Sequence, residues 1–569
     1  MPHVPGFPAL SIAPPALADK LRPVLPQWAM GLEEPALARY LALTALGSGD
    51  ADLAASGAGL ACWSWQRAPL DAARAETLAH ALPETPVADF AAALARHLSL
   101  QPEAAGLTAG LAAGLAVEIA ELLATGETAF LVRALLPRLR DPATGLAWLA
   151  AAWDGLLRLG SADLAEAALA ACAWPQVFAP LRARLAAEAS FLYAPPEAAL
   201  AALDELAACD GAGLFAAFSA YLRGELLLRL GEARAGRESL AALFSAMPWH
   251  THLGLKLHDL LVPPPVARPE DSARATILMY SWNKAGLTRQ TLESLARTDY
   301  GDARILALDN GSTDGTGAVM RDCAGLFPAG RLRVIRLPVN VGAPAARNWL
   351  ISQPEVQQAE FAVFLDDDVL LPGRWLGRLL GAALARPEVG AAGCRVVSAT
   401  PPPCLQSADY QLFAPLNEAR TFRELPENVN VFDNCAGALD FGLFTYARPA
   451  THVSGCCHAL RVAVLRELGG FDIRFSPTQF DDLDRDLRSA VAGHPAAYAG
   501  DVAIAHVQHS SLAKAKGPAA TGQVLGNKIK LEGKHTQAQM DAAFRAGLAA
   551  LWRDLDGKWR VLSGGAGRG

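Results

Sequence analysis

The sequence predicts two parts of different fold class, an all-α N-terminal half and an α/β C-terminal half built on a mostly parallel sheet. Residues 30–260 are rich in Ala, Leu, Arg and Glu at helical spacing and contain few β-branched residues. After the Pro-rich stretch "LVPPPVARPEDSA" (261–273), short apolar runs alternate with helix-like segments. Such alternation is typical of a parallel sheet covered by helices on both faces.

The helical half contains an internal repeat, because "LLRLG" occurs at 156–160 and again at 227–231. This separation is close to two units of a helical-hairpin repeat of about 34 residues. The second copy lies in a register that resembles the tetratricopeptide repeat, at Gly224, Gly231, Leu240 and Pro248. A helical bundle without repeats is the alternative. A repeat superhelix would offer a concave surface to a protein partner.

In the second half, the apolar runs predict the strands and the segments between them predict the helices. We predict strands at 275–281, 304–309, 331–337, 361–366 and 389–397. Helices are predicted at 287–297, 313–326, 343–352 and 373–386. In such sheets ligands bind beyond the C-terminal ends of the strands, so the candidate residues are those at which the strands end.

The composition excludes several classes of protein. Of 569 residues, 52% are hydrophobic and 19% charged, which excludes a disordered or fibrous chain, and the net charge of −7 disfavours a nucleic-acid partner. Nine cysteines without a C-x-x-C pair indicate neither a disulfide framework nor a zinc site, as expected in a reducing cytoplasm.

No targeting or membrane-spanning segment is predicted. The N-terminus lacks the basic region and apolar core of a signal peptide. The most apolar window, 104–126, carries Glu118 and Glu121, which favours a packed helix over a membrane span. We therefore expect a cytoplasmic protein, either free or attached to the inner face of the membrane.

Polar residues follow the first three predicted strands. The first strand ends in Ser281-Trp282-Asn283, and the second in "DNGSTDG" (309–315). A tight, well-capped turn explains the second motif equally well. After the third strand, "NVGAPAARN" (340–348) opens a helix with small residues, which let a backbone approach a phosphate.

The fourth strand ends in three adjacent carboxylates, Asp366, Asp367 and Asp368, within "FLDDDV". Like charges this close raise each other's pKa, so either the run is a solvated turn or a cation belongs there. The apolar run "FAVFL" in front of it disfavours a solvated turn. Mg²⁺ and Mn²⁺ take oxygen ligands, often one or two carboxylates plus substrate phosphates. The run therefore predicts a divalent-cation site.

Five motifs in this order resemble the family 2 glycosyltransferases, which are inverting enzymes with the GT-A fold. They are "DNGSTDGT", "NVGAPAARN", "FLDDDV", "SGCCHALRVAVLRELGGFD" (454–472) and "DDLDRDLRSAVAGH" (481–494). The resemblance covers about residues 275–510, under half of the chain. It implies a Rossmann-like domain that binds a nucleotide-diphosphate sugar. The first strand departs from the family's Pro-Thr-Tyr-Asn-like ending.

The resemblance implies roles for single residues on the donor side. Asp309 would bind the nucleobase, while Asp366, Asp368 and His506 would bind the cation, with His509 as the alternative histidine. The implied donor contacts are Ser281, Asn283, Asp309, Asn310, Gly311, Asn340, Gly342, Arg347, Asp366 and Asp367.

On the acceptor side, an inverting transfer needs a carboxylate that takes the proton of the attacking hydroxyl. The family has it in an acidic pair at a helix start, which here makes Asp482 the implied base and Asp481 its supporting group. Favourable interaction with the helix N-terminus explains these acidic residues as well. Gly455 and Cys456 lie on the implied acceptor side, with Cys456 and Cys457 interpreted as packing residues before a predicted helix.

Two further segments carry weaker signals. Residues 398–453 are rich in aromatic residues, Pro and Asn, and the resemblance implies that a segment in this position forms the acceptor subsite. The basic stretch "GNKIKLEGKH" (526–535) is either a segment that closes over the diphosphate or a solvated helix face.

The predicted function is metal-dependent sugar transfer to a hydroxyl of a glycan, lipid-linked or protein acceptor. A nucleotidyltransferase and a non-catalytic helical scaffold are the alternatives. The first would need a Gly-rich basic loop after the first strand, and the second is disfavoured because the aspartates are present. The predicted parts are an N-terminal extension (1–29), a helical-repeat domain (30–260), a linker (261–274), a glycosyltransferase domain (275–512) and a helical basic tail (513–569).

Overall fold

The computed structural model describes residues 10, 12–98, 128–413, 429–435, 437–507 and 518–564. The chain forms two compact units. The first comprises Met1–Leu261, Thr400–Cys404 and Lys558–Gly569, and the second comprises Val262–Ala399 and Leu405–Gly557. The window 104–126 and His509 lie outside the described residues. Of the helices within the described ranges, none is both long and apolar enough to cross a bilayer.

The first unit is all-α, as predicted. Several helices begin at side chains that accept hydrogen bonds from free main-chain N–H groups, among them Asp50, Asp71 and Ser161. The described α-helices of this unit are Pro14–Val24, Pro35–Leu46, Ala51–Arg67, Ala72–Ala81, Pro86–Leu98, Thr128–Leu139, Gly145–Arg158, Ala162–Ala171, Ala179–Tyr193, Pro196–Cys209, Ala216–Arg229, Ala233–Ala246 and Thr251–Leu261, with 3₁₀ turns at Pro26–Ala29 and Gln176–Phe178.

Both copies of the repeated "LLRLG" end a helix. Their last residues, Gly160 and Gly231, have φ angles of 76° and 81°, a left-handed conformation that glycine adopts without strain. After the second copy, the helix Ala233–Ala246 packs back against Ala216–Arg229 as a helical hairpin. The tetratricopeptide assignment itself stays a prediction.

The second unit is built on a ten-stranded mixed sheet. The described strands of this unit are β1 (Ala275–Ser281), β2 (Arg304–Asp309), β3 (Leu332–Arg336), β4 (Phe361–Leu365), β5 (Val369–Leu370), β6 (Ala391–Ser398), β7 (Leu405–Ser407), β8 (Tyr410–Leu412), β9 (Val431–Asp433), β10 (Ala447–Ala450), β11 (Cys457–Arg461) and β12 (Ala496–His506). The order is β10-β12-β6-β11-β4-β1-β2-β3, with β5 on β12 and β7 on β6, and β8 and β9 form a separate two-stranded sheet.

The predicted strands are confirmed, but the sheet is mixed rather than mostly parallel. β1 pairs in parallel with β2 and β4, and β2 with β3. β11 runs antiparallel between β4 and β6, and β10 runs antiparallel to β12. The expectation of a helix directly after Cys457 was wrong, because Cys457–Arg461 forms β11 and the helix starts at Val462. A five-residue run is too short to distinguish strand from helix by periodicity.

Helices cover both faces of the sheet. On one face, Ile277, Ile305 and Val363 pack in a core with residues of the helices Ala285–Ala296 and Trp375–Leu384. The other face contacts the helix Ala343–Ile351. The described α-helices of this unit are Ala285–Ala296, Thr316–Cys323, Ala343–Ile351, Pro354–Gln357, Trp375–Leu384, Val462–Leu468, Asp481–Val491, Pro518–Lys534 and Gln537–Gly564, with 3₁₀ turns at Pro269–Arg274, Ala324–Leu326 and Ile473–Phe475. The last of these helices ends in residues that belong to the first unit, from Lys558 onward.

Candidate active site

The carboxyl ends of β1, β2 and β4 lie side by side at one edge of the sheet. Ser281 at the end of β1 is in register with Asp309 at the end of β2, and Met279 is in register with Leu365. Because Leu365 precedes the acidic run, the polar residues predicted from separate motifs converge on this edge.

The turn after β2 is fixed by the side chains of its own residues. Asp309 is fully buried and accepts a hydrogen bond from the main-chain N–H of Ser312 at 2.8 Å, while the Nε of Arg336 lies 3.3 Å from its second oxygen. Gly311 has a φ of 73°, and a Cβ there would lie 2.2 Å from the carbonyl carbon of Val339. Only glycine therefore fits where this turn meets the next loop.

The other predicted donor residues bind one another across neighbouring loops. Asn310 donates to the Oδ1 of Asn340 at 3.0 Å, and that same oxygen accepts from the N–H of Gly342 at 2.8 Å. Asn283 accepts from the N–H of Thr313 at 2.8 Å. The loops after β1, β2 and β3 are thus joined into one surface.

The acidic run has its own positive partners within the chain. The Nζ of Lys284 lies 2.9 Å from Asp367 and 3.0 Å from Asp368, and the Nε2 of His506 lies 2.9 Å from the other oxygen of Asp368. Burial opposes the charge on Lys284, but the two carboxylates outweigh it and hold its pKa above the ordinary value. Burial raises the pKa of Asp367 to about 6 against the pull of Lys284. Sequence reasoning missed Lys284 as a partner, although it directly follows the polar end of β1.

Arg347 connects the acidic run to the acidic pair. Its guanidinium donates to Asp481 at 2.6 Å and lies 3.7 Å from Asp366. The same group sits over the rings of Tyr280 and Phe471, at 5.5 and 5.1 Å from their centres. Burial raises the pKa of both Asp366 and Asp481, and Arg347 opposes this shift. The guanidinium is therefore the central charge between donor-side and acceptor-side carboxylates.

Asp482 is held differently from its neighbour. It is the second residue of the helix Asp481–Val491 and accepts hydrogen bonds from the N–H of Gly455 at 3.0 Å and of Leu483 at 2.8 Å. A Cβ on Gly455 would lie 2.7 Å from its carboxylate, so a glycine is needed there. Burial alone would raise the pKa of Asp482, but His452, Arg347 and the two N–H groups reverse this and hold its pKa below the ordinary value. The carboxylate is therefore ionised near neutral pH.

Three possible metal ligands lie together at the acidic run. Ligand atoms of Asp366, Cys456 and His506 are all within 4.8 Å of one another. The Nδ1 of His506 faces the Oε1 of Gln406 at 2.6 Å, which leaves its Nε2 turned toward the carboxylates. Sequence reasoning expected Cys456 to be a packing residue and had no signal for Gln406, which lies in the segment 398–453.

One protein family and one relative match part of this chain. Residues 273–517 match the family described as glycosyltransferase-like family 2. The O-antigen biosynthesis protein RfbC of Myxococcus xanthus is 30% identical over 209 residues, which cover 36% of this chain and 15% of that protein. The chain thus spans only a small part of the length of this relative.

Three solved structures resemble part of the chain. The mannosyltransferase PcManGT from Pyrobaculum calidifontis, in complex with GDP-Man and Mn²⁺, has a TM-score of 0.30 and 20% identity, over 56% of this chain and 86% of that one. GalNAc-T7 with UDP, GalNAc and Mn²⁺ has a TM-score of 0.33 and 12% identity, over 42% and 43%. TarS of S. aureus has a TM-score of 0.32 and 14% identity, over 48% and 42%.

Among the functions that the sequence left open, the family match favours sugar transfer over nucleotidyl transfer. Residues 273–517 are therefore a family 2-like glycosyltransferase domain.

Proposed function

We propose that this domain transfers a sugar, with inversion, from a nucleotide-diphosphate sugar to a hydroxyl acceptor, and that transfer depends on a divalent cation. The observation that carries the proposal is the double contact of Arg347, at 2.6 Å from Asp481 and 3.7 Å from Asp366. One buried guanidinium thereby joins the acidic run after β4 to the acidic pair. The donor diphosphate and the acceptor hydroxyl would then meet in one cleft.

In the proposed step, the acceptor oxygen attacks the anomeric carbon of the donor in line with the bond that breaks. A new glycosidic C–O bond forms, the bond between the anomeric carbon and the phosphate oxygen breaks, and its electron pair leaves with the nucleoside diphosphate. The proton of the acceptor hydroxyl goes to the carboxylate of Asp482. A lowered pKa keeps this carboxylate ionised and ready to accept the proton at neutral pH.

The residues at the acidic run fit a divalent cation. Asp366 and Asp368 offer carboxylate oxygens, His506 offers its Nε2, and the thiol of Cys456 lies in the same cluster. A bound Mg²⁺ or Mn²⁺ would neutralise charge on the leaving diphosphate. Without a cation, Lys284 and His506 face the carboxylates, and Asp368 raises the pKa of His506 against the effect of burial. Gln406 fixes the ring orientation of His506 that the cation would need.

For the acceptor, we propose an intermediate of a cell-surface glycan. The support is the relative named as an O-antigen biosynthesis protein, which matches 36% of this chain. The helical first unit would recruit this acceptor or a protein partner. The proposed location is the cytoplasm or the inner face of the membrane, where nucleotide sugars are available.

The test is release of nucleoside diphosphate from a panel of nucleotide sugars with Mg²⁺, Mn²⁺ or a chelator. We expect release that needs a cation, that is lost in Asp366→Asn, and that is kept in Asp302→Asn, a variant of an exposed carboxylate paired with Arg331. If nucleoside diphosphate is released equally fast in the presence of chelator, transfer does not depend on a divalent cation. NMR of the product gives its anomeric configuration. A product with the same anomeric configuration as the donor sugar would contradict inversion.

A further inference from the structure

The turn that leads into the acidic pair has two residues in a conformation that side chains rarely adopt. Gln479 and Phe480 have φ angles of 82° and 69°, and Asp481 follows directly. Non-glycine residues in this left-handed region persist only where the surroundings impose it. Something outside the turn must therefore hold it.

Donors outside the turn bind each successive main-chain carbonyl from Arg474 to Gln479. The N–H of Ala343 donates to the carbonyl of Pro477 at 2.8 Å. The other five carbonyls are bound by side chains of the helix Pro518–Lys534. The contacts are Lys530 to Arg474 at 2.8 Å, Asn527 to Phe475, Thr478 and Gln479 at 3.1, 2.9 and 3.2 Å, and Gln523 to Ser476 at 3.1 Å.

These donors form a stripe along one face of the helix. Gln523, Asn527, Lys530 and Lys534 recur at the spacing of one helical face, and we call them the donor stripe. Lys534 extends the pattern by binding Asp472 at 2.8 Å and Asp484, within the helix of the acidic pair, at 2.7 Å. Lys530 and Lys534 of the basic stretch 526–535 thus bind the turn and the helix of the acidic pair, while closure of this stretch over the diphosphate stays a prediction.

Asn527 is the central member of the donor stripe. It is fully buried, and its Oδ1 accepts from the Nζ of Lys530 at 3.0 Å. This bond fixes the orientation of the amide. If the amide were flipped, its oxygen would face three carbonyl oxygens, and acceptors cannot hydrogen-bond one another. The amide nitrogen therefore binds carbonyls on both sides of Pro477, including that of the strained Gln479.

A small apolar core holds the same elements together. Phe475 from the turn, Leu487 from the helix of the acidic pair and Leu531 from the donor helix pack in one cluster, with Phe480 and Leu483 against it. Leu531 lies one helical turn after Asn527. The apolar cluster and the donor stripe thus join the same helix to the same turn.

We propose that the helix Pro518–Lys534 sets the conformation of the turn 474–480 and so aims Asp482 at the acceptor, with Asn527 as the positioning residue. This helix lies beyond the family match, which ends at 517. The proposal rests on the proposed role of Asp482 as base. It predicts that the acceptor side of the site depends on the helix, whereas the donor side does not.

The test compares Asn527→Ala with Leu525→Ala, a change at a residue of the same helix that is 50% exposed. We expect Asn527→Ala to increase hydrogen–deuterium exchange in residues 474–484 and to lower kcat about 10- to 100-fold, the scale of a small misplacement of a catalytic group. The donor KM and the affinity for the nucleoside diphosphate with Mn²⁺ should stay at the wild-type value. Leu525→Ala should behave as wild type in all these measurements.

The outcomes separate this proposal from the proposed function. Unchanged exchange of 474–484 in Asn527→Ala overturns the positioning role, and so does increased exchange throughout the second unit, which would mean general destabilisation. If Asp482→Asn keeps full activity while Asn527→Ala still loosens the turn, the base assignment fails and the conformational role stands. Gln523→Ala removes a half-buried hydrogen-bond donor with less risk to folding. It should increase hydrogen–deuterium exchange of residues 474–484 as well, but less than Asn527→Ala does.

Discussion

Replacing Asp482 with Asn removes the proposed base at nearly constant size. In the wild-type protein, the carboxylate accepts one N–H at each oxygen, from Gly455 at 3.0 Å and from Leu483 at 2.8 Å. An amide has a single acceptor oxygen, so one of these N–H groups would face the NH₂ group. The variant thus loses its proton acceptor and one of two hydrogen bonds that hold the group in place.

The two losses differ in magnitude and in what they change. General-base help is worth about 10²–10⁴-fold in rate, which corresponds to about 3–5 kcal/mol of barrier. A buried N–H left without its charged partner costs about 1–3 kcal/mol, and that cost falls on folding stability. We therefore expect kcat to fall by on the order of 10²–10⁴. The donor KM should change little, because the donor contacts lie on the other side of Arg347.

The assay is the release of nucleoside diphosphate at saturating donor, with acceptor or with water as the nucleophile. Protonation of Asp482 itself should not limit wild-type kcat at mildly acidic pH, because its lowered pKa keeps the base ionised there. Asp302→Asn is the matched control. A kcat of Asp482→Asn within tenfold of wild type would refute the reasoning.

Three further predictions concern the charges around this centre. Cobalt-loaded protein should have a thiolate-to-cobalt charge-transfer absorption that Cys456→Ser lacks; no such band in the wild type would exclude the thiol as a ligand. Lys284→Met should bind Mn²⁺ about tenfold more tightly by calorimetry, because a competing positive charge is removed, and weaker binding would contradict this. Arg347→Met should destabilise the second unit by about 3–5 kcal/mol at neutral pH, measured by urea-dependent hydrogen exchange of β4. Burial already raises the pKa of Asp481, and removing Arg347 raises it further. The loss of folding stability in Arg347→Met should therefore shrink as the pH falls and the carboxyl of Asp481 becomes protonated. A loss of stability that does not change with pH would contradict this cause.

Strand positions were predictable where apolar runs are bounded by clear turn signals. β1 and β2 have the predicted bounds, 275–281 and 304–309, because a Pro-rich stretch precedes the first and a glycine turn follows the second. β11 was missed, since its few residues run straight into a helix of similar composition. Its antiparallel insertion between β4 and β6 contributes to the mixed sheet and brings Cys456 beside Asp366.

Within the site, the sequence marked the carboxylates, Arg347 and His506, but it missed Lys284 and did not show which positive group pairs with which carboxylate. Lys284 meets Asp367 from 83 positions away along the chain, and Arg347 meets Asp481 from 134 positions away. No local pattern encodes such pairs, because they depend on how the strands are ordered. The donor stripe was hidden for a different reason. Side chains that bind main-chain carbonyls have the same composition as a solvated helix face.

The donor stripe also bears on how the domain can be isolated for study. A fragment cut at 517, where the family match ends, would leave five carbonyls of the turn 474–479 without their donors and Asp484 without Lys534. It would also expose the face of Phe475 and Leu487 that Leu531 covers. Expression boundaries for this enzyme therefore have to run past residue 534, although similarity to the family stops well before it.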